Sequence, residues 1–100
     1  MPEGIKYDGQ KARWSLLPWR EVKEVVEVLT LGSIKYADDN WKYVKPQPDR
    51  YFSAGMRHLT AWYSGEKKDP ETGKSHLAHA ICCFLFLMWF DNEAPCNPKE

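Results

Sequence analysis

The sequence SHLAHAICCFLFLMWF, residues 75–90, decides the fold because it predicts a helix that is apolar on nearly every side. Such a helix is typically buried at the centre of a protein. Ser75 precedes the first helical residue, His76, and its hydroxyl can accept a backbone N–H there. The apolar run, Ala80 to Phe90, is 11 residues long, whereas a membrane span takes about 20. We therefore predict a soluble, cytoplasmic chain with no membrane partner.

Two amphipathic helices are predicted before this central helix. The first begins near Pro18 and ends either at Gly32 or at about Tyr36, with a strand as the lesser alternative because β-branched residues are frequent. The second begins after a capping Asp49 and stops before Gly65. Apolar side chains recur at helical spacing in both, which predicts their buried stripes. These stripes are Val22, Val25, Val26 and Leu29 in the first helix, and Phe52, Met56, Leu59 and Tyr63 in the second.

The chain length of 100 residues corresponds to one small domain. Residues 1–16 show no helical period and are predicted to form an extended arm, and residues 92–100 are predicted to be a frayed tail. We therefore predict a small all-α bundle of three main helices in a single domain, residues 1–100. Two other helices cannot cover Ala80 to Phe90 on every side, so we also predict that a homo-oligomer completes the bundle.

The composition excludes some classes of protein. Fourteen basic and fourteen acidic residues give a net charge of zero, which argues against long nucleic acid as a partner. The three cysteines form no disulfide framework, which fits a reducing cytosol. Five Trp, five Tyr and four Phe are many for so small a core, so we expect some of them in a ligand pocket or a subunit interface. An aromatic-rich core is the alternative.

Two acidic pairs have a spacing that suits a metal ion. Glu21 and Glu24 are three residues apart on the first helix. Glu66 and Asp69, which precede the third helix, are also three residues apart. Clustered carboxylates suit Mg²⁺, which takes about six oxygen ligands. The alternatives are a solvated helix face for the first pair and a polar turn for the second, because DPETG, residues 69–73, is itself a turn signal.

His76 and His79 lie one helical turn apart at the start of the third helix. Such a pair can bind a transition metal when further ligands converge on it, or it can hold phosphate oxygens at the helix N-terminus. The alternative is one capping histidine and one histidine satisfied within the core.

Several cationic side chains are suited to phosphate groups, and two aromatic side chains are suited to a base. The planar guanidinium of arginine matches phosphate oxygens, and Trp41 or Tyr43 can stack on a nucleobase. Solvated charges and core aromatics are the alternative. Together these side chains predict a nucleotide as the small-molecule partner. The cationic candidates are Lys11, Lys35, Arg50, Arg57 and His58.

Three groups of residues resemble a phage-associated family. They are LTLGSIKY with NW, at residues 29–36 and 40–41; RHLTAW with GE, at 57–62 and 65–66; and DPETG with HLAHA, at 69–73 and 76–80. The family is the N-terminal domain of dATP/dGTP diphosphohydrolase, which is itself similar to the MazG-like all-α nucleotide pyrophosphohydrolases. The resemblance covers the chain from about Lys6 to Phe90.

The resemblance implies a helical, oligomeric enzyme that cleaves a purine deoxynucleoside triphosphate to the monophosphate and pyrophosphate, with Mg²⁺ or with Mn²⁺ in its place. Glu21 and Glu24 match the first acidic pair of the wider superfamily. For the second acidic pair of the superfamily, E-x-x-D, Glu66 and Asp69 match in residue type. His76 and His79 match instead in position, because they lie at the start of the third helix, where the superfamily would have its acidic residues.

The mechanism implied by the resemblance divides these residues into three roles. The metal ion would be held by Glu21, Glu24 and Asp69, and Glu24 or Glu66 would orient the attacking water. Arg57, Lys35 and His58 would stabilise the charge on the transferred group and on the leaving pyrophosphate. One alternative is a non-catalytic protein that sequesters a nucleotide or a cyclic nucleotide, and another is a subunit that binds a host protein.

Overall fold

The computed structural model describes residues 3–45 and 47–93, and within them the chain is all-α. The three helices are α1, Trp19–Lys35; α2, Gln47–Tyr63; and α3, His76–Glu93. Short 3₁₀ turns lie at Trp14–Leu16 and Asn40–Tyr43. In the described part of the chain there is no strand, and a single bridge pairs Lys68 with Ser75. The predicted fold class, a small all-α bundle, is confirmed.

Helix α3 is the central element, as the opening stretch predicted. It packs against both α2 and α1. Its small residues Ala78, Ala80 and Cys82 are buried, and Val25 and Val28 of α1 pack with them. Small side chains on the central helix let the helix axes approach closely.

Helices α2 and α3 are in close contact at Gly55. A Cβ atom there would lie 2.7 Å from Cε1 of Phe84 and 3.2 Å from Cβ of Cys83. Because only glycine fits this contact, the face of α2 that carries Gly55 must turn toward α3. His58, three residues later, lies on the same side and contacts His76 of α3.

Part of the predicted buried stripes of α1 and α2 is wrong. Phe52 and Tyr63 are exposed at 57% and 84%, because the packed face of α2 is centred on Gly55 rather than on its largest apolar residues. On α1, Val26 is half exposed and Val28 is buried in its place, since Val28 and Val25 are the residues that meet α3.

The predicted helix boundaries are mostly confirmed. Ser75 accepts a hydrogen bond from the Leu77 amide at 3.0 Å and precedes the first residue of α3. Gly65 has a φ of 112°, a left-handed conformation that ends α2. Helix α1 runs to Lys35, which matches the longer of the two predicted ends. The predicted cap at Asp49 is wrong, because α2 already begins at Gln47 and Asp49 lies in its first turn.

In the described part of the chain, one side of α3 is left uncovered. Ile81, Leu85 and Met88 are exposed at 46%, 45% and 61%. This exposure agrees with the expectation that two other helices cannot cover Ala80 to Phe90 on every side, and the homo-oligomer stays a prediction. In the described part of the chain, no helix is long and apolar enough to cross a membrane. Of the predicted frayed tail, residues 92 and 93 belong to α3, and residues 94–100 lie outside the described residues.

Candidate active site

A tight turn between α2 and α3 brings Asp69 back against the start of α3. The Asp69 amide donates to the Lys74 carbonyl at 2.8 Å, and the Gly73 amide donates to the Asp69 carbonyl at 2.7 Å. Gly73 supplies the positive φ of 73° that the turn requires. The prediction of a turn at residues 69–73 is confirmed.

Three histidines and one aspartate meet beside this turn. They are His58 from α2, Asp69 from the turn, and His76 and His79 from the first turn of α3. The rings of His58 and His79 stack, with centroids 4.5 Å apart and planes inclined by 12°. Oδ2 of Asp69 lies 3.8 Å from Nδ1 of His58 and 3.8 Å from Nε2 of His79. We call these four residues the histidine–aspartate cluster.

A chain of hydrogen bonds joins Glu66 to His58 through the buried His76. Oε1 of Glu66 lies 2.7 Å from Nε2 of His76, and the Nδ1 atoms of His76 and His58 are 2.9 Å apart. A carboxylate only accepts, so Nε2 of His76 carries a hydrogen. In a neutral His76, Nδ1 is then an acceptor, and His58 donates from its own Nδ1. His58 therefore keeps an unprotonated Nε2.

Thr72 holds His79 in place by a hydrogen bond. The Lys74 amide donates to Oγ1 of Thr72 at 3.2 Å, and this oxygen lies 2.7 Å from Nε2 of His79. The amide occupies one lone pair of the oxygen, which leaves the hydroxyl with a hydrogen to donate and a second lone pair to accept. Thr72 therefore satisfies either tautomer of His79.

Burial and neighbouring groups together set the charges of the cluster. Burial is the largest effect on the pKa of His58 and of His79 and lowers both, with the charge of Asp69 acting in the opposite direction. Burial acts to raise the pKa of Asp69, but the amide hydrogen bond from Glu71 and the nearby histidines bring it below its usual value. Near neutral pH the site therefore holds an ionised carboxylate beside two neutral imidazoles.

Helix α1 is tied to the same turn by two carboxylates. Oε2 of Glu24 accepts a hydrogen bond from the Ser75 amide at 2.6 Å, and Oε1 of Glu27 accepts one from Lys74 at 2.9 Å. A carboxylate at the N-terminus of α3 also interacts favourably with the helix dipole. Glu24 thus fixes the start of the helix that carries His76 and His79.

A groove of about 920 Å³ opens beside the cluster. Trp41 lines it and is held by aromatic packing, because its ring stacks on Phe86 at 4.2 Å and meets Trp89 edge-on at 5.2 Å. A smaller pocket of about 320 Å³ lies between Arg50 and Arg57 on α2. The volume of the groove lies in the range of small-molecule sites, about 300–1,000 Å³.

Comparison with known proteins shows the family. The family described as "dATP/dGTP diphosphohydrolase, N-terminal" matches residues 1–97. This chain belongs to that family. A protein of Salmonella phage PMBT28 named "dATP/dGTP diphosphohydrolase" is 38% identical over 92 residues, which cover 92% of this chain and 31% of that protein. The chain thus spans about a third of the length of this relative. No solved structure matches the chain.

In this family domain, six of the eight predicted substrate-binding residues line the groove of about 920 Å³. The other two, Lys11 on the N-terminal arm and His76 inside the cluster, are not among the groove-lining residues in the described part of the chain. Neither are the predicted metal and catalytic carboxylates Glu21, Glu24, Glu66 and Asp69. The six that line it are Lys35, Trp41, Arg50, Arg57, His58 and His79.

The predicted metal ligands of the domain are not gathered around one point. Glu21 is exposed and pairs with Arg20 at 2.8 Å, while Glu24 is hydrogen-bonded to the start of α3. Among the described residues, the one group of three or more such ligands within 4.8 Å of one another is His58, Asp69 and His79. Glu21 and Glu24 lie outside this group, and the Mg²⁺ site built from Glu21, Glu24 and Asp69 stays a prediction.

Two roles in the domain were not predicted from the sequence. Thr72 orients His79, and its only sequence signal is its position within the DPETG turn. His58 was assigned to phosphate binding, yet it belongs to the histidine–aspartate cluster. Its placement three residues after Gly55, on the face where two helices meet, is the signal that identifies it.

Proposed function

We propose that the groove binds a purine deoxynucleoside triphosphate and that the domain takes part in hydrolysing it to the deoxynucleoside monophosphate and pyrophosphate. The name of the phage relative supports the reaction, and family membership supports its transfer to this chain. The observation that carries the proposal is the groove itself, where cations, aromatic rings and neutral histidines line one cavity of about 920 Å³.

The triphosphate is proposed to lie against the arginine side of the groove. Arg50 and Arg57 are seven residues apart on α2, or two helical turns, so both face the same side. Both line the groove and the smaller pocket beside it. Lys35 adds a third cation on the groove wall, where Glu71 holds its ammonium at 2.7 Å. Fixed cations suit the charge that builds up on transferring phosphates.

The base is proposed to lie at the aromatic end of the groove. Trp41 is held rigid by Phe86 and Trp89, and Tyr36 also lines the wall and is exposed. Aromatic rings fixed by packing provide stacking area without ordering cost on binding. Stacking alone does not distinguish purines from each other, so the purine preference rests on the relative's name.

The reaction proposed is attack of water on the α-phosphorus. An O–P bond forms to that phosphorus, the bond from it to the bridging oxygen of the β-phosphate breaks, and pyrophosphate leaves. We propose that Mg²⁺ enters as the counter-ion of the triphosphate, because Glu21, Glu24 and Asp69 do not gather as a resident site. Phosphoryl transfer depends mainly on positioning and electrostatic stabilisation, and the groove cations fit that task.

A second function, binding without cleavage, is favoured by one observation. Glu24 and Glu66, the predicted catalytic carboxylates, are both engaged away from the groove wall, one with the Ser75 amide and the other with His76. A protein that only sequesters a nucleotide needs the arginines and the rings but no free carboxylate. Turnover distinguishes the two functions.

The experiment measures nucleotide binding and pyrophosphate release on the full 100-residue chain. Wild-type protein is incubated with each deoxynucleoside triphosphate and Mg²⁺ or Mn²⁺, with EDTA as the blank. Arg57→Ala is compared with Arg20→Ala, which removes an equal charge from an exposed site outside the groove. Purine-dependent turnover that falls about 10-fold or more in Arg57→Ala alone supports the proposal. Tight binding without turnover identifies a sequestering protein, and absence of binding contradicts both functions.

A further inference from the structure

We propose that His58, Asp69 and His79 bind one divalent first-row transition-metal ion, such as Mn²⁺, Co²⁺ or Zn²⁺, at the edge of the groove. The site differs from the carboxylate site for Mg²⁺ that the sequence suggested. Its use in hydrolysis rests on the proposed function, whereas metal binding itself does not and is measured without nucleotide.

The geometry of the ligand atoms is the first argument. One nitrogen of each histidine and one carboxylate oxygen of Asp69 lie within 4.8 Å of one another. Bonds of about 2.0–2.2 Å from nitrogen and oxygen to a metal span such a gap after small side-chain rotations. The terminal torsion of histidine is soft, so these rotations cost little.

The position of His79 is the second argument. Its Nε2 atom lies 3.8 Å from Oδ2 of Asp69 and 2.7 Å from Oγ1 of Thr72. In the tautomer that carries its hydrogen on Nδ1, this nitrogen has the lone pair that a metal ion takes. An ion bound there displaces the Thr72 hydroxyl by rotation of the threonine side chain.

The partners of His58 form the third argument. Nδ1 of His58 donates a hydrogen bond to Nδ1 of His76, and Nε2 of His76 donates one to Glu66 at 2.7 Å. A metal-binding histidine typically donates its other ring N–H to an acceptor that is in turn fixed by a carboxylate or a carbonyl. The buried His76 thus engages Nδ1 of His58, which also lies 3.8 Å from Oδ2 of Asp69, and leaves Nε2 as the nitrogen with a free lone pair.

The identity of the ligands selects the class of metal. Two imidazoles and one carboxylate suit manganese, iron, cobalt and zinc, whereas Mg²⁺ prefers oxygen ligands throughout. His58, Thr72 and His79 also line the groove, so the remaining coordination positions face the cavity. An open position of this kind admits a water molecule or a phosphate oxygen.

The test is a titration of metal-stripped protein with Co²⁺, followed by its visible absorption and by calorimetry. Wild-type protein is expected to bind one equivalent. Asp69→Asn keeps the oxygen that accepts from the Glu71 amide but loses the charge, and it is expected to bind at least about 10-fold more weakly. The matched control is Glu71→Gln, which removes one charge from the same turn and is expected to stay within about threefold of wild type.

Three results overturn the inference: no uptake of Co²⁺ or Zn²⁺ by wild-type protein, unchanged affinity in folded Asp69→Asn, or equal weakening in Glu71→Gln. Where Asp69→Asn fails to fold, imidazole ¹⁵N chemical shifts of the wild type replace it. Zn²⁺ is expected to shift one nitrogen each of His58 and His79 and neither nitrogen of His76 directly. Shifts confined to other histidine nitrogens also overturn it.

The two proposals fail separately. Metal binding at this site without hydrolysis contradicts the proposed function and leaves the metal site standing. Hydrolysis by protein that takes up no transition metal, with Mg²⁺ alone, overturns the metal site and leaves the proposed function standing.

Discussion

His58 and His79 belong to different helices, yet their imidazole rings stack 4.5 Å apart with the Asp69 carboxylate at the edge of both. This contact requires α2 and α3 to approach closely, and they are in close contact at Gly55, one turn before His58. The packing of two helices and the geometry of the candidate site therefore depend on the same glycine.

Gly55→Ala is expected to destabilise the protein by about 1–3 kcal/mol, because the new methyl group meets Phe84 and Cys83 in a packed interface. Urea unfolding followed by circular dichroism measures the change in free energy of unfolding. The matched control is Gly32→Ala in α1, where a Cβ atom meets nothing within 4 Å. The control is expected to be stabilised by up to about 1 kcal/mol through helix propensity. Equal stability of the two variants would show that the interface is looser than described.

Glu24→Gln is expected to cost about 1–3 kcal/mol of stability, because the variant loses a charged acceptor for the Ser75 amide at the start of α3. Turnover at saturating metal is expected to fall much less than the 100-fold typical of a lost metal ligand. Glu21→Gln is the control, since its carboxylate is exposed and contacts only Arg20 among the described residues. A large loss of turnover with unchanged stability would restore Glu24 as a metal ligand.

The buried thiols are expected to resist alkylation in folded protein. Burial raises the pKa of Cys82 to about 12 and that of Cys83 to about 11. A pKa raised by folding means that stability is complete below the unfolded value of 9.0 and declines as pH rises toward 11 or 12. In a Cys96→Ser background, iodoacetamide at pH 8 is expected to modify neither thiol until urea is added. Rapid modification at pH 8 without urea would contradict this burial.

The exposed side of α3 makes the homo-oligomer testable. Ile81, Leu85 and Met88 form an apolar face that neither α1 nor α2 covers. Sedimentation is expected to give a mass that is a multiple of 11.7 kDa, and Leu85→Glu is expected to shift it toward the monomer. Ile34→Glu, a control at another exposed apolar residue, is expected to leave the mass unchanged. A monomer at all concentrations would refute the prediction.

Features set by neighbouring residues were predictable from the sequence. The cap at Ser75, the stop at Gly65 and the turn at residues 69–73 each depend on local backbone chemistry, and the structure has all three. The buried face of α2 was not predictable in this way, because it depends on which helix packs against it. Apolar spacing assigned Phe52 and Tyr63 to that face, whereas the chain buries Gly55 there.

Candidate residues for the site could be chosen from the sequence, but their arrangement could not. Phosphate-binding chemistry suggested Arg50, Arg57 and Lys35, and the fold collects them along one groove. The partner of Glu24 lies 51 residues away along the chain, so nothing near Glu24 in sequence distinguishes a metal ligand from a helix anchor. Convergence of distant residues is a property of the tertiary structure, which brings Asp69 against His58 and His79 rather than against Glu21 and Glu24.

The most direct test of the proposed function is ³¹P NMR of dGTP and dATP incubated with metal-loaded protein in ¹⁸O-enriched water. The account predicts that the triphosphate signals are replaced by those of pyrophosphate and of the deoxynucleoside monophosphate, with the isotope shift on the monophosphate phosphorus. Unchanged triphosphate, or release of inorganic phosphate in place of pyrophosphate, would contradict it.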